Sequence, residues 1–220
     1  MREERPAIDT PGGPMPGFLA RPNDGSSGPA VVVIQEWWGV NDQIRGVVRR
    51  LAEHGFAGLT PDLYRGVQTA EPDDARKLAM ALDDARVLED LRASIGWLLD
   101  RGATTVGAIG FCMGGGLAWE LARSDPRLRV AVVFYGGVDF RGGGPVLVPF
   151  QAHYGSEDRY PQEMLDAIEA HRSHVPGSEL HRYEGVGHGF MNEEHEEDFD
   201  PEAAELAWWR TLTFLRTNLA

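Results

Sequence analysis

The chain has 220 residues, a length that suits one domain of good size, and its 42% hydrophobic content is sufficient for a large core. A formal net charge of −13 at pH 7 disfavours binding to nucleic acids and to anionic membrane surfaces. The single cysteine excludes an internal disulfide and a structural zinc site made of thiolates. No signal pattern and no apolar stretch near the ~20 residues needed to cross a bilayer is present, so we expect a cytoplasmic protein.

Hydrophobic periodicity predicts strands that alternate with helices along the chain. Continuous β-branched runs such as Ala30–Ile34 are typical of strands covered on both faces. Gly55 ends one amphipathic helix, and Asp200 with Pro201 begins the last one. In chain order the predicted strands are 15–21, 30–34, 56–59, 105–110, 130–135, 146–154 and 180–183, and the predicted helices are 42–54, 71–82, 83–99, 114–124, 162–174 and one from 201 onward. The alternation predicts an α/β fold with a mostly parallel sheet, whose sites lie at strand carboxyl ends.

The only cysteine lies in the segment Gly110-Phe-Cys-Met-Gly114, which has the form G-x-nucleophile-x-G between a strand and a helix. Small neighbours allow a strained turn there, and the helix N-terminus favours a thiolate. The N–H of Met113 is then positioned to bind an oxyanion. Free cysteines are more often buried and inert, but the strand–turn–helix context favours Cys112 as a nucleophile.

The order nucleophile, acid, histidine along the chain predicts the partners of this thiol. Asp158 follows the strand at 146–154, and His188 lies in a glycine loop after the strand at 180–183. Glu157 is an alternative acid, and each residue alone could be an ordinary loop residue. The three in this order indicate a Cys112–His188–Asp158 triad.

With these residues placed, the sequence resembles the dienelactone hydrolases, a branch of the α/β-hydrolase superfamily, over nearly its whole length. The resemblance rests on Gln35-Glu-Trp-Trp-Gly39, Thr60-Pro-Asp-Leu-Tyr64, Gly110-Phe-Cys-Met-Gly-Gly115, Tyr154-Gly-Ser-Glu-Asp158 and Gly187-His-Gly-Phe190. It implies an α/β-hydrolase fold in residues 1–220, with helices on both faces of the sheet and no large lid domain. It also implies hydrolysis of a small ester or lactone without a cofactor.

The resemblance assigns roles that composition does not suggest. It implies that Glu36 contacts the resting thiol and helps to generate the thiolate, and that the N–H of Trp37 is the second oxyanion donor. For Glu36 an ion pair with a nearby arginine, such as Arg45, is the structural alternative.

The chain also departs from the family pattern. Family members that act on dienelactone bind the substrate carboxylate with arginines, one of which lies four residues after the histidine. Here that position is Asn192, followed by an acidic run, and Arg65 and Arg76 do not align with the other arginine. Hydrolase chemistry is therefore better supported than dienelactone as the substrate.

The sequence also contains possible metal ligands and aromatic residues near the motifs. His171, His174 and the run 192–198 do not present three metal ligands on defined elements, so a solvated charge run is the favoured interpretation. Aromatic residues near the motifs could line an apolar substrate pocket, together with Asn192. These residues are Trp38, Tyr64, Phe111 and Phe190. Two alternatives to an esterase stay open, a non-catalytic ligand-binding protein on the same fold and a redox sensor that uses Cys112.

Overall fold

The structure is a computed structural model and describes residues 1–23, 28–140 and 144–219. Its strands are β1 (Arg2–Glu4), β2 (Ala7–Ile8), β3 (Met15–Arg21), β4 (Ala30–Ile34), β5 (Ala57–Pro61), β6 (Val106–Phe111), β7 (Leu128–Phe134), β8 (Phe150–Gly155) and β9 (Glu179–Tyr183). Its helices are α1 (Asp42–Glu53), α2 (Pro72–Met80), α3 (Asp84–Leu99), α4 (Met113–Ser124), α5 (Gln162–His174) and α6 (Pro201–Leu219).

The strands form one sheet in the order β1-β3-β5-β4-β6-β7-β8-β9, with β2 paired to β3. The six strands from β5 to β9 in this order pair in parallel, and β1, β2 and β3 form an antiparallel edge. The predicted α/β fold with a mostly parallel sheet is therefore confirmed. The order places β4, β6, β7, β8 and β9 side by side, so the residues that follow these five strands share one edge of the sheet.

Alternate residues of each central strand face two separate cores. In β4, Val31 and Val33 pack with α1 and α6, whereas Val32 and Ile34 pack with α3, α4 and α5. Both faces are covered, which is why β4 is apolar at every position instead of alternating. The two cores hold the sheet edge, and the turns that follow it, in fixed positions.

Most predicted elements are present within a few residues, but the sheet differs at two places. β8 begins at Phe150 and not at residue 146, because Pro149 has no N–H for the ladder and pairing with β7 begins at Ala131 and Phe150. β1 and β2 were not predicted, since strands of three and two residues carry too little pattern. Among the residues that the structure describes, no helix combines the length and apolar content needed to cross a bilayer.

Candidate active site

Cys112 occupies the turn between β6 and α4 in a strained backbone conformation. Its φ is 51° and its ψ is −115°, in a region that residues with a Cβ rarely adopt. Its N–H donates to the carbonyl of Phe134 at 3.0 Å, and its carbonyl accepts from the N–H of Gly115 at 3.0 Å. These bonds hold the partly exposed thiol at the N-terminus of α4, where the helix dipole favours a negative charge.

His188 and Asp158 meet at the same sheet edge. Nδ1 of His188 lies 2.9 Å from Oδ2 of Asp158. The Asp158 side chain is 8% exposed and that of His188 is 42% exposed, so the carboxylate is shielded while the imidazole reaches the surface. Glu157, the alternative acid, is exposed.

The pKa of His188 is raised to about 10. Burial alone would lower this pKa, but the hydrogen bond to Asp158 and the electrostatic interactions with Cys112 and Asp158 more than offset the cost of burial. Because this pKa lies above 7, the imidazole of His188 is protonated at neutral pH.

Glu36 follows β4 and is buried, with 3% exposure. Its Oε1 accepts from the hydroxyl of Tyr135 at 2.9 Å, and its Oε2 accepts from the side-chain amide of Asn192 at 2.7 Å. Burial raises the pKa of Glu36, and the two hydrogen bonds only partly oppose that shift. Arg45, the candidate ion-pair partner, instead pairs with Asp42 at 2.8 Å.

Both carboxylate oxygens of Glu36 are thus occupied by Tyr135 and Asn192. The contact with the resting thiol that the family resemblance implies is not among the hydrogen bonds of the described residues. Tyr135 was missed by the sequence analysis, although it ends the predicted strand 130–135 next to the strand of the cysteine. A hydroxyl-bearing residue at that position is the signal that could have identified it.

Two backbone N–H groups lie beside the cysteine without hydrogen-bond partners among the described residues, those of Met113 and Trp37. Met113 is the first residue of α4, where the N–H has no partner within the helix. Trp37 follows Glu36 in the turn after β4. These are the two groups that the sequence analysis assigned to the oxyanion.

The loop that carries His188 continues into the acidic run and is attached to α1. Glu194 accepts from the side chain of Asn41 at 2.7 Å and from the N–H of Gln43 at 2.9 Å, so its carboxylate sits at the positive end of that helix. His195 stacks on Trp38 with 4.4 Å between ring centroids. The expectation of a solvated charge run is therefore wrong for Asn192, which is buried, and only partly right for His195, which is half-buried against Trp38, whereas Glu194 is exposed.

Two cavities open at Cys112 and share Trp37 as a wall. The smaller, about 290 Å³, is lined in part by Trp38, His188, Asn192 and His195. The larger, about 650 Å³, is lined in part by Met113, Leu117, Leu88 and Tyr160. We call them the Trp38 chamber and the Leu117 chamber.

Three of the aromatic residues suggested for the pocket do not line either chamber. Phe111 is fully buried and stacks on Phe134, with 4.8 Å between centroids. Phe190 is also fully buried, in the core beneath α6. Tyr64 is buried with its hydroxyl 3.7 Å from the sulfur of Met113. The corresponding pocket prediction fails for Phe111 and Phe190 because their side chains point from the sheet edge into the core.

The described residues contain no group of three or more His, Cys, Asp and Glu side chains placed to hold a metal ion. His171, one of the histidines considered for metal binding, instead has its Nδ1 2.8 Å from the carbonyl of Ala167 within α5.

The fold is that of an α/β hydrolase: the sheet is mostly parallel, a cysteine occupies the turn after β6, and Asp158 and His188 follow β8 and β9 at the same edge. The model of the dienelactone hydrolase family matches residues 15–219. A Bradyrhizobium protein named as a probable 2-oxo-3-(5-oxofuran-2-ylidene)propanoate lactonase is 32% identical over 232 residues, covering 96% of this chain and 93% of the relative. A structure of a "Putative Dienelactone Hydrolase" from Klebsiella pneumoniae has a TM-score of 0.86 at 27% identity, covering 98% of each chain.

A second structure, of a dienelactone hydrolase from Anabaena variabilis, shares the fold with a TM-score of 0.76 at 19% identity. The match spans 100% of this chain and 99% of the Anabaena chain. The chain belongs to the dienelactone hydrolase family. It is a hydrolase of carboxylic ester or lactone bonds, as the sequence analysis predicted.

Proposed function

We propose that the chain cleaves small esters or lactones through a Cys112–His188–Asp158 triad, by way of a thioester on Cys112. One observation carries this proposal. The imidazole of His188 is hydrogen-bonded to Asp158 and lines the same cavity as Cys112, and Cys112 is held in a strained turn at a helix N-terminus. Nucleophile, base and orienting acid are the minimum set for this chemistry.

In the first half of the reaction the Cys112 thiolate attacks the carbonyl carbon, and a C–S bond forms. The oxyanion accepts hydrogen bonds from the N–H groups of Met113 and Trp37, which have no other partners among the described residues. The C–O bond then breaks, and the His188 imidazolium donates its proton to the departing alcohol oxygen. In a lactone this alcohol stays attached to the acyl group.

In the second half water replaces the alcohol. His188, now neutral, accepts a proton from the water that attacks the thioester carbonyl. The C–S bond breaks and the acid leaves, which regenerates the thiolate beside the imidazolium. Asp158 holds the imidazole in place throughout, and no step needs a cofactor or a metal.

Glu36 is proposed to help to generate the thiolate when substrate binds, as the family resemblance implies. Its raised pKa lets it accept the thiol proton once substrate displaces it from Tyr135 or Asn192. Trp38 and Asn192 line the Trp38 chamber and are proposed to contact substrate. The one-domain organisation of residues 1–220 and the cytoplasmic location stay predictions.

The test uses Cys112→Ala on p-nitrophenyl acetate, p-nitrophenyl hexanoate and dihydrocoumarin. We expect kcat/KM to fall by roughly 10³-fold or more, since the variant loses the nucleophile and keeps only the oxyanion site and binding. An unchanged unfolding transition would show that the fold is intact. Because Cys112 is the only cysteine, one equivalent of iodoacetamide should abolish the turnover of the unmodified enzyme.

A Cys112→Ala variant with undiminished turnover would overturn the proposal. Mass spectrometry of the enzyme mixed rapidly with p-nitrophenyl hexanoate should show one added hexanoyl group, absent in the variant. Saturable binding without turnover across the panel would instead support the ligand-binding alternative. Oxidation of Cys112 by mild peroxide, in a protein that turns over none of these esters, would support the redox sensor.

A further inference from the structure

The arrangement of the two chambers indicates how an ester lies in the site. Both chambers open at Cys112, and Trp37 forms a wall of each. A carbonyl carbon placed at the sulfur therefore has one substituent directed into each chamber. The walls beside the sulfur are largely aromatic and aliphatic, with Trp38 in one chamber and Leu88 and Leu117 in the other.

The charged residues of the chambers are mostly acidic. No arginine or lysine is among the described residues that line either chamber. Glu36 and Asp198 line the Trp38 chamber, and Asp84 and Glu120 line the Leu117 chamber. Arg123 lies 2.9 Å from Glu120 and offsets part of that one charge. The positive charge of His188 is already paired with Asp158, 2.9 Å away.

The arginines that could have bound a substrate carboxylate are engaged elsewhere. Arg65 lies 2.7 Å from Asp90, whose side chain is 6% exposed, so moving Arg65 would leave a buried carboxylate unpaired. Arg76 is on the exposed side of α2, 3.7 Å from Asp73.

The side-chain amide of Asn192 is also hydrogen-bonded within the protein. Its side-chain nitrogen donates to Glu36 at 2.7 Å, and its side-chain oxygen accepts from the N–H of Glu194 at 3.1 Å. Both ends of this amide are therefore used within the protein. A carboxylate in the Trp38 chamber would find acidic neighbours and no side chain of opposite charge that is free to pair with it.

We propose that this site selects esters whose acyl and alcohol parts are both uncharged and apolar, and that it discriminates against substrates with a carboxylate. The inference rests on the proposed hydrolase function and adds the charge of the substrate to it. Apolar acyl and alcohol groups are stabilised when they leave water and pack against the chamber walls. A carboxylate loses hydration there and is repelled by the acidic lining.

The test compares p-nitrophenyl hexanoate with the p-nitrophenyl monoester of adipic acid. The two acyl chains have equal length, the leaving group is the same, and six carbons keep the free carboxylate from attacking its own ester efficiently. At about pH 8, where that carboxylate is ionised, we expect kcat/KM to be roughly tenfold or more higher for the hexanoate, the scale of one unfavourable charge contact near the surface.

Variants of the acidic residues test whether charge causes the preference for the hexanoate. Asp198→Asn tests the Trp38 chamber and Asp84→Asn the Leu117 chamber, and the variant of the chamber that receives the acyl chain should narrow the hexanoate-to-adipate ratio, because it removes an acidic neighbour. Glu205→Gln, an exposed acid of α6 outside both chambers, is the matched control and should leave the ratio unchanged. The ratio should also narrow as salt rises from about 0.05 to 0.5 M, because ions screen the repulsion.

The two ideas fail in different ways. Equal kcat/KM values, or faster cleavage of the adipate monoester, would overturn the inference and leave the hydrolase proposal standing. Absence of turnover with both esters and with dihydrocoumarin would overturn the proposed function itself. A ratio that is high but unchanged in Asp198→Asn, in Asp84→Asn and in salt would also overturn the inference, since shape and not charge would then set the preference.

Discussion

At the scale of single residues, the candidate site depends on which carboxylate holds the imidazole. Asp158 is 8% exposed and lies 2.9 Å from Nδ1 of His188, whereas Glu157 next to it is exposed. A shielded carboxylate keeps the imidazole in one orientation and, together with Cys112, raises the pKa of His188 to about 10 despite burial.

Replacing Asp158 should therefore cost much more activity than replacing its neighbour. We expect Asp158→Asn to lower kcat on p-nitrophenyl hexanoate by about 10²- to 10⁴-fold, because the imidazole loses its orienting charge. Glu157→Gln, which removes the same kind of charge one residue earlier, should stay within about twofold. Steady-state kinetics of both variants provide the measurement, and a larger loss in Glu157→Gln would assign the orienting role to the other acid.

The same residues show how far a sequence can predict a site. Cys112, Asp158 and His188 carry motif, order and strand context, so their proximity could be predicted. The hydroxyl at the end of the predicted strand 130–135 could have marked Tyr135 as a candidate, but its bond to Glu36 could not be predicted, because the two residues are 99 positions apart in the chain. The sequence pointed to Asn192 as a pocket residue. Its hydrogen bonds to Glu36 and to the N–H of Glu194 depend on the conformation of the loop and could not be predicted.

At the scale of elements, the turn from β6 to α4 requires close contact between backbones. A Cβ added at Gly110 would lie 1.9 Å from the carbonyl oxygen of Gly114, a backbone atom that cannot move away. A Cβ at Gly114 would lie 2.4 Å from the carbonyl oxygen of Ile34. The glycines of the motif thus bring α4 against β6 and β4, and this contact places Cys112 next to Glu36.

A methyl group at Gly110 should accordingly disrupt the turn. We expect Gly110→Ala to lower the free energy of unfolding by about 3 kcal/mol or more and to abolish ester turnover. Gly46→Ala is the control, since Gly46 lies within α1 with no heavy atom within 4 Å of an added Cβ. That change should stabilise the protein by about 0.5–1 kcal/mol. Urea unfolding measures both, and a tolerated Gly110→Ala would contradict the packing argument.

At the scale of the whole molecule, the strands from β3 to β9 were predictable, and the two shortest strands, β1 and β2, were not. Strands buried on both faces, such as β4 and β6, have apolar residues at every position, a pattern that is visible without a structure. β1 and β2 lack that pattern because they have only three and two residues and most of these side chains are exposed. The order of the strands also had to come from the structure, since it depends on pairing between distant segments.

Beneath α6, the sheet buries a polar group that the proposed chemistry does not use. His153 of β8 is fully buried, with Nδ1 2.7 Å from the Tyr183 hydroxyl and Nε2 2.9 Å from Oε1 of Gln151. Burial lowers its pKa well below the ordinary value, with a smaller contribution from the positive charges of His181 and Arg210. The folded protein therefore keeps His153 neutral under conditions in which the unfolded chain binds a proton.

This difference should make folding sensitive to mild acid. Below about pH 6.5 the unfolded chain takes up a proton at His153 that the folded state excludes, so the free energy of unfolding falls by up to about 1.4 kcal/mol per pH unit from this group. His188 has the opposite shift, and its stabilisation is lost only as pH rises through the range from 6.5 to about 10. Urea unfolding of the native protein and of His153→Gln between about pH 5 and 6.5 isolates the effect, because the variant should show the shallower dependence. His174→Gln, on the exposed face of α5, should keep the native slope, and parallel slopes for all three proteins would contradict the assignment to His153.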